Sequence, residues 1–316
     1  MIRFSVIIPL YNKAPYVAKT IKSVLGQTFV DFELIVIDNG STDGSERIVV
    51  DFNDTRLSVH RLEKNIGVSN ARNLGVSISH APYITFLDAD DWWEPSFLEE
   101  LDKLIERYPN AGIYGTGYWI VKNGEKRIAP IGVKKDFIEG EINYCQVYAK
   151  TLCMPLTSIT VALPRKIFDE TDGFPANINL GEDFMLWLYI ALRHKVVFLN
   201  KPLSNYNQDV TPLFRGTHKT KYNPDTFMTF HLDAFKNEEE QIPSLKILLD
   251  RIRVYSLMNF RKNNMFPDRV QREINKVNFA NVDPIYRFYY QYPYWIVKAF
   301  CTFKSLLSLI KQKFLT

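Results

Sequence analysis

Apolar and polar positions alternate in two rhythms along the first part of the chain. Residues 4–10 form a nearly unbroken apolar run ending at Tyr11-Asn12, and Glu33-Leu34-Ile35-Val36-Ile37-Asp38 forms a second. A third, Tyr83-Ile84-Thr85-Phe86-Leu87, leads directly into Asp88-Ala89-Asp90-Asp91. Runs this short and this apolar predict strands covered on both faces. Between them, Val17, Ile21, Val24 and Leu25 recur at helical spacing over residues 15–25, and residues 68–78 do the same. Strand and helix thus alternate over about ninety residues, which predicts an α/β fold, a doubly wound sheet with helices on both faces. In such sheets ligands bind outside the carboxyl ends of the strands. Asp38, Asn39 and the Asp88 cluster therefore meet at one mouth if their strands are neighbours.

The pattern changes after residue 225. Helical periodicity continues to about residue 263 with a break at Pro243, predicting two helices. Residues 285–316 hold no acid but five positive charges, Arg287, Lys298, Lys304, Lys311 and Lys313, together with Tyr286, Phe288, Tyr289, Tyr290, Tyr292, Tyr294 and Trp295. On a helix over 294–315, Ile296, Ala299, Phe300, Phe303, Leu306, Leu307, Ile310 and Phe314 share one stripe. An apolar face with cationic flanks and an aromatic belt suits an anionic membrane surface. The alternative is a terminal helix docked on its own domain or on a homodimer partner.

Composition adds boundary conditions. With 316 residues, 46% hydrophobic and 23% charged, the chain has ample material for one large α/β domain and an appendage. Cys145, Cys153 and Cys301 form no close pair, and the five histidines have no metal-ligand spacing, so a reducing cytoplasmic setting is expected. The run from Val6 to Leu10 is too short for a secretory signal, and no segment approaches the ~20 uninterrupted apolar residues of a membrane span. A net charge of +4, with the basic residues gathered where hydrophobicity is also high, argues against a nucleic-acid partner.

The acidic run carries the candidate chemistry. Side chains two apart on an extended segment share a face, so Asp88 and Asp90 are expected to converge, with Asp91 turned to a neighbouring position. Hard oxygen ligands suit Mg²⁺ or Mn²⁺, which complete their shells with water and substrate phosphates, so a diphosphate is the natural ligand. The plainer reading is acids at a helix start, favoured by the backbone dipole.

Four segments in order and spacing, Val6-Ile7-Ile8-Pro9-Leu10-Tyr11-Asn12, Asp38-Asn39-Gly40-Ser41-Thr42-Asp43-Gly44-Ser45, Gly67-Val68-Ser69-Asn70-Ala71-Arg72-Asn73 and Leu87-Asp88-Ala89-Asp90-Asp91, resemble the family 2 glycosyltransferases. Asp172-Gly173-Phe174-Pro175 and Gly181-Glu182-Asp183-Phe184 extend the resemblance to about residue 208. It implies a GT-A fold, Rossmann-like with a mixed sheet, and an inverting transfer from a nucleoside-diphosphate sugar, usually uridine-linked. The catalytic domain is expected over 1–220, with a nucleotide-binding part of about 1–115 and an acceptor part of about 116–220, and a helical extension over 221–316. The resemblance implies a nucleotide site of Pro9, Tyr11, Asp38, Asn39, Arg72, Asp88, Ala89 and Asp90. A metal would be held by Asp90 and Asp91. Arg72 would face the diphosphate or lock the acidic cluster. Asp38 either reads the base or caps the following turn, and Asn39 replaces a second acid found in one common family pattern. Asp183 is the candidate base for the acceptor hydroxyl, with Glu182 as the alternative. Trp187 is expected in the core, whereas Trp92 and Trp93 are expected near a sugar ring.

The Gln-x-x-Arg-Trp motif of processive synthases is missing, which predicts addition of a single sugar to a glycan or lipid-linked acceptor, as in surface polysaccharide assembly at the inner membrane face. Arg215, His218, Lys219 and Lys221 fall in a loop that would serve either as a lid over the nucleotide or simply as a solvated basic loop. Two alternatives are a sugar-nucleotide-forming nucleotidyltransferase and a non-catalytic sugar-nucleotide-binding protein. The first lacks its glycine-rich basic signature, since Pro9 to Pro15 holds neither glycine nor arginine. The second is disfavoured by the retained Asp88, Asp90 and Asp183. A phosphatase of the aspartyl-phosphate type would carry its acids after the first strand, which here ends in Pro9.

Overall fold

The computed structural model describes residues 2–211 and 223–313, with side chains as far as Phe303. Two compact units are present, Met1–Met228 and Thr229–Thr316. The domain boundary expected at 220 lies outside the described residues.

The first unit is built on a ten-stranded mixed sheet. Its strands are β1 (Phe4–Leu10), β2 (Phe32–Asp38), β3 (Leu57–Arg61), β4 (Tyr83–Phe86), β5 (Trp92–Trp93), β6 (Ile113–Lys122), β7 (Glu125–Ile128), β8 (Glu139–Ile142), β9 (Val161–Pro164) and β10 (Val196–Asn207). The order is β3-β2-β1-β4-β9-β6-β10-β5, with β7 on β6 and β8 on β10. The four strands β3, β2, β1 and β4 run parallel, β9 enters antiparallel to β4 and β6, and β6 and β10 are again parallel. The helices of this unit are α1 (Ala14–Leu25), α2 (Ser45–Val50), α3 (Val68–Ser77), α4 (Phe97–Arg107), α5 (Tyr144–Thr151), α6 (Arg165–Asp169) and α7 (Glu182–Ala191).

The period-two geometry of a strand explains the unbroken apolar runs. Phe4, Val6, Ile8 and Leu10 of β1 point to one face, where Val17, Ile21 and Val24 of α1 and Leu98, Leu101 and Ile105 of α4 close a single core. Ile35 and Ile37 of β2 point to the opposite face and meet Ala71 and Leu74 of α3. That helix lies close against the sheet because residue 75 is glycine: a Cβ there would collide with the Ile7 side chain. β3 is an edge strand whose residues are half-buried or exposed, so it carries little hydrophobic signal. β1 lies between β2 and β4, so the strands that lead to Asp38 and Asp88 are one strand apart, and the carboxyl ends of all three open to one side.

The second unit is helical: α8 (Lys236–Gln241), α9 (Pro243–Ser256), α10 (Met258–Lys262), α11 (Pro267–Ile274), α12 (Pro284–Gln291) and α13 (Tyr294–Lys313). Pro243 stands in the first turn of α9, where its missing N–H costs nothing. The interior holds a buried ion network in which Arg253 donates to both oxygens of Glu239, at 2.5 and 2.8 Å, while Lys246 pairs with Asp250 at 2.5 Å. The helix expected over 294–315 is present over 294–313. Its inward contact is Val297, fully buried, with Ile296 and Cys301 half-buried; Trp295, Ala299, Phe300 and Phe303 are exposed. The expected stripe is therefore divided, since Ile296 turns partly inward. Its remaining members, Leu306, Leu307, Ile310 and Phe314, with Lys304, Lys311 and Lys313, lie outside the residues whose side chains are described. No helix among the described residues is long and apolar enough to cross a membrane.

Candidate active site

The acidic run after β4 does not continue the pleat. Asp91 N–H donates to the Asp88 carbonyl at 3.0 Å, which closes a turn over Asp88-Ala89-Asp90-Asp91. The expectation that Asp88 and Asp90 share a strand face therefore fails, and each acid of the turn acquires its own direction.

Asp88 faces α3. One of its oxygens accepts from Arg72 at 2.7 Å, and the other terminal nitrogen of that guanidinium reaches Glu182 at 2.9 Å. Arg72 is 3% exposed and sits 5.1 Å over the Phe174 ring. Burial pulls its pKa down, but the carboxylates of Asp88, Glu182 and Asp183 outweigh this and raise it, so the guanidinium is permanently charged. Next to it, Asn73 exchanges two hydrogen bonds with the backbone of Phe174, both at 2.9 Å. One turn of α3 thus holds both the acidic turn and the Gly173-Phe174 turn.

Glu182 and Asp183 open α7 behind Gly181, whose φ of 88° is a left-handed conformation that favours glycine. Asp183 is half-buried, and its Oδ1 accepts from the N–H of Phe184 at 2.8 Å. Burial, helped by Glu182, pushes its carboxyl up to about 7 against the opposing pull of Arg72. A carboxylate held near neutrality is suited to exchanging a proton at physiological pH.

At the ends of β1 and β2, Asp38 does what its neighbours suggest with one oxygen and leaves the other free. Oδ1 accepts from Ser41 N–H at 3.0 Å, whereas Oδ2 is buried without a hydrogen-bond partner among the described residues, 3.9 Å from Arg61. Asn39 is engaged at both ends. Its carbonyl accepts from Ile66 N–H at 2.8 Å, and its amide donates to Asn65 and Gly67 at 3.1 and 3.2 Å. These bonds tie the loop before α3 to the sheet, and at the end of β1 Tyr11 is 43% exposed beside half-buried Pro9.

Asp90 pairs with Lys13, a residue the sequence reading passes over. Asp91 is buried, and its Oδ1 accepts from Asn207 N–H at 2.7 Å, fastening the turn to the end of β10. Burial comes first in raising the pKa of both acids; Asp88 adds to it at Asp90, and Asp90 and Asp88 add to it at Asp91. Such concentrated negative charge on hard oxygens fits a divalent cation. Among the described residues no three His, Cys, Asp or Glu side chains converge to hold one unaided. The residues that could hold one are Asp90 and, beside it, Asp91, a set suited to Mg²⁺ or Mn²⁺ sharing its shell with water and a diphosphate.

On the α1 side of Asp90 a pocket of about 400 Å³ is lined by Tyr16, Lys19, Trp92, Lys126 and Asp209. Trp92 forms its aromatic wall. Trp93, in contrast, is a core residue, stacked on Phe97 at 4.1 Å with its indole N–H on the Ile159 carbonyl, so the expectation of a sugar contact there fails. Trp187 is fully buried against Phe174 and Phe86, as expected. Arg215, His218, Lys219 and Lys221 lie outside the described residues.

Comparison with known proteins agrees with this geometry. A family model described as glycosyl transferase family 2 matches residues 5–161. The glycosyltransferase TuaG of Bacillus subtilis, named for teichuronic acid biosynthesis, is 38% identical over 64% of this chain and 77% of its own length. WfgD of Escherichia coli, a UDP-Glc:alpha-D-GlcNAc-diphosphoundecaprenol beta-1,3-glucosyltransferase, is 29% identical over 62% of this chain and 72% of its own. The chain spans about a third of the length of other curated relatives, uncharacterized glycosyltransferases of Rickettsia. Among solved structures, S. aureus TarS 1-349 in complex with UDP-GlcNAc superposes with a TM-score of 0.71 at 21% identity, covering 88% of this chain and 82% of that one, and so shares its GT-A fold. By motif order, by fold and by its identity to TuaG over most of that protein's length, the chain belongs to glycosyl transferase family 2.

Proposed function

We propose that this protein is an inverting glycosyltransferase that moves a single hexosyl or N-acetylhexosaminyl group from a nucleoside-diphosphate sugar, UDP-linked, to a glycan or lipid-linked acceptor in bacterial-type surface polysaccharide assembly. The observation that carries this reading is the Arg72 bridge. It joins Asp88, in the acidic turn expected to meet the donor, to Glu182, next to Asp183, whose carboxyl is pushed up to about 7. The names of TuaG and WfgD support the polysaccharide setting, and the UDP-sugars named for WfgD and TarS support the donor class.

The chemistry follows from these positions. Asp183 takes the proton of the acceptor hydroxyl as its oxygen attacks the anomeric carbon, and the bond to the diphosphate breaks on the opposite side, inverting the configuration. Arg72 holds Glu182 and Asp88 in place around that path. Asp88 keeps 36% of its side-chain surface open, enough to accept from ribose hydroxyls while paired with Arg72. Mg²⁺ or Mn²⁺ at Asp90 would supply countercharge to the departing diphosphate. The acceptor class fits a peripheral position on the inner face of the cytoplasmic membrane, approached through the exposed Trp295, Phe300 and Phe303 of α13.

A thermal-shift panel of nucleoside diphosphates and sugar nucleotides with Mn²⁺ tests the reading. Uridine nucleotides should raise the melting temperature more than other bases do. A panel in which no nucleotide raises it would overturn the reading.

A further inference from the structure

Lys13 caps the start of α1 in a backbone fixed from several sides. Its own N–H donates to Ser45 Oγ at 2.8 Å, and the next N–H, of Ala14, donates to Asp43 at 2.9 Å. The preceding Asn12 is in the left-handed region with φ 51°, its N–H on Ser41 Oγ at 3.0 Å and its side-chain oxygen accepting from Thr42 N–H at 2.8 Å. The Cα of Lys13 is therefore pinned between the end of β1 and the loop after β2, which is where the base and ribose of a nucleotide would lie. Its side chain crosses to Asp90.

The pair is largely enclosed, with 15% of the Lys13 side chain and 17% of the Asp90 side chain exposed. Asp90 is also the carboxylate best suited to a divalent cation. An ammonium and a metal ion cannot both sit against one carboxylate oxygen without strong repulsion in so poorly solvated a place. An arginine would lock a carboxylate with a planar fork, whereas a lysine offers a point charge on a flexible four-carbon stem that reorients at little cost.

From this geometry, and resting on the reading of Asp90 as the metal and donor carboxylate, we propose that Lys13 is a shared cation: it neutralises Asp90 while no metal is bound and passes to the diphosphate when metal and nucleotide enter. It is then a binding residue for the diphosphate of the donor, acting beside the metal. Lys13 competes with the metal for Asp90 in the free protein and cooperates with it in the complex.

Those two roles have opposite signs, which a purely structural ion pair does not reproduce. The experiment titrates Mn²⁺ alone, then UDP in saturating Mn²⁺, into the wild-type protein and into Lys13→Met and Lys13→Arg. Lys13→Met keeps the apolar stem and loses the charge. It should bind Mn²⁺ more tightly than wild type and bind UDP about 10-fold or more weakly, the loss expected for one charge-assisted hydrogen bond. Lys13→Arg, which keeps the charge, should recover most of the UDP affinity. Unchanged UDP affinity in Lys13→Met would overturn the proposal, and so would parallel weakening of Mn²⁺ and UDP, the mark of a mere structural pin. A wild-type protein that binds no UDP in Mn²⁺ would remove the parent reading as well, whereas normal wild-type binding with an unaffected Lys13→Met removes the proposal alone.

Discussion

A guanidinium almost wholly enclosed by protein and shared between Asp88 and Glu182 makes the acidic turn and the start of α7 electrostatically one object. It also opposes the burial that lifts Asp183 to about 7. Because a raised carboxyl must lose its proton before it can accept another, transfer should rise with pH through about 7 and level off above it, reading as a single limb in kcat/KM. Replacing Arg72 with Gln removes the opposing charge and should move that limb to higher pH; a profile flat between pH 5.5 and 8.5 would exclude Asp183 as the base. Asp183→Asn should keep UDP binding and lose transfer by ~10² to 10⁴-fold, the usual range for a missing general base. If Glu182→Gln were inactive and Asp183→Asn near normal, the role would pass to Glu182. At this scale the sequence was legible where a motif concentrates unusual residue types, as in the acidic turn and at Glu182-Asp183. Lys13 and Asn207 escaped notice because a lone lysine or asparagine carries no signal until folding brings it to Asp90 or Asp91.

The strands and helices that bear these residues were readable because their faces are buried on both sides or on one. β1 and β2 show nearly continuous apolar runs, and α1 shows its stripe, as burial against α1, α4 and α3 requires. The half-exposed edge strand β3 and the six-residue α2 have no such constraint and left no clear pattern. The turn at Asp88 was misjudged for a related reason. Strand periodicity says nothing about where the strand stops, and β4 ends at Phe86, two residues before the first acid. The close approach of α3 to β1 sets where Arg72 projects, so Gly75→Val should push the helix from the sheet. The expected cost is ~1–3 kcal/mol of stability, seen as a lower urea midpoint, together with weakened UDP binding from a displaced Arg72. Unchanged stability and affinity would mean that the Gly75–Ile7 contact does not position the site.

For the molecule as a whole, the catalytic unit and the helical unit answer to different physics. The sequence foresaw a basic, aromatic terminal helix, and α13 is there with Trp295 at 62% and Phe303 at 60% exposure. Periodicity alone did not reveal that Val297, outside the expected stripe, makes the inward contact, because facing residues come from elsewhere in the chain. If the exposed face meets anionic lipid, removing residues 294–316 should abolish flotation with anionic vesicles and leave UDP binding intact, with each surface lysine contributing on the order of 1 kcal/mol that salt weakens. Unchanged flotation with a large fall in melting temperature would show instead that the helix packs on protein. The central claim, that the acidic turn binds a nucleoside diphosphate through a divalent cation, is tested most directly by calorimetric titration of UDP into the protein and into Asp90→Asn, each with Mn²⁺ and with EDTA. The prediction is binding by the wild-type protein in Mn²⁺, lost in EDTA and strongly weakened in Asp90→Asn. Equal UDP affinity with and without EDTA would contradict it.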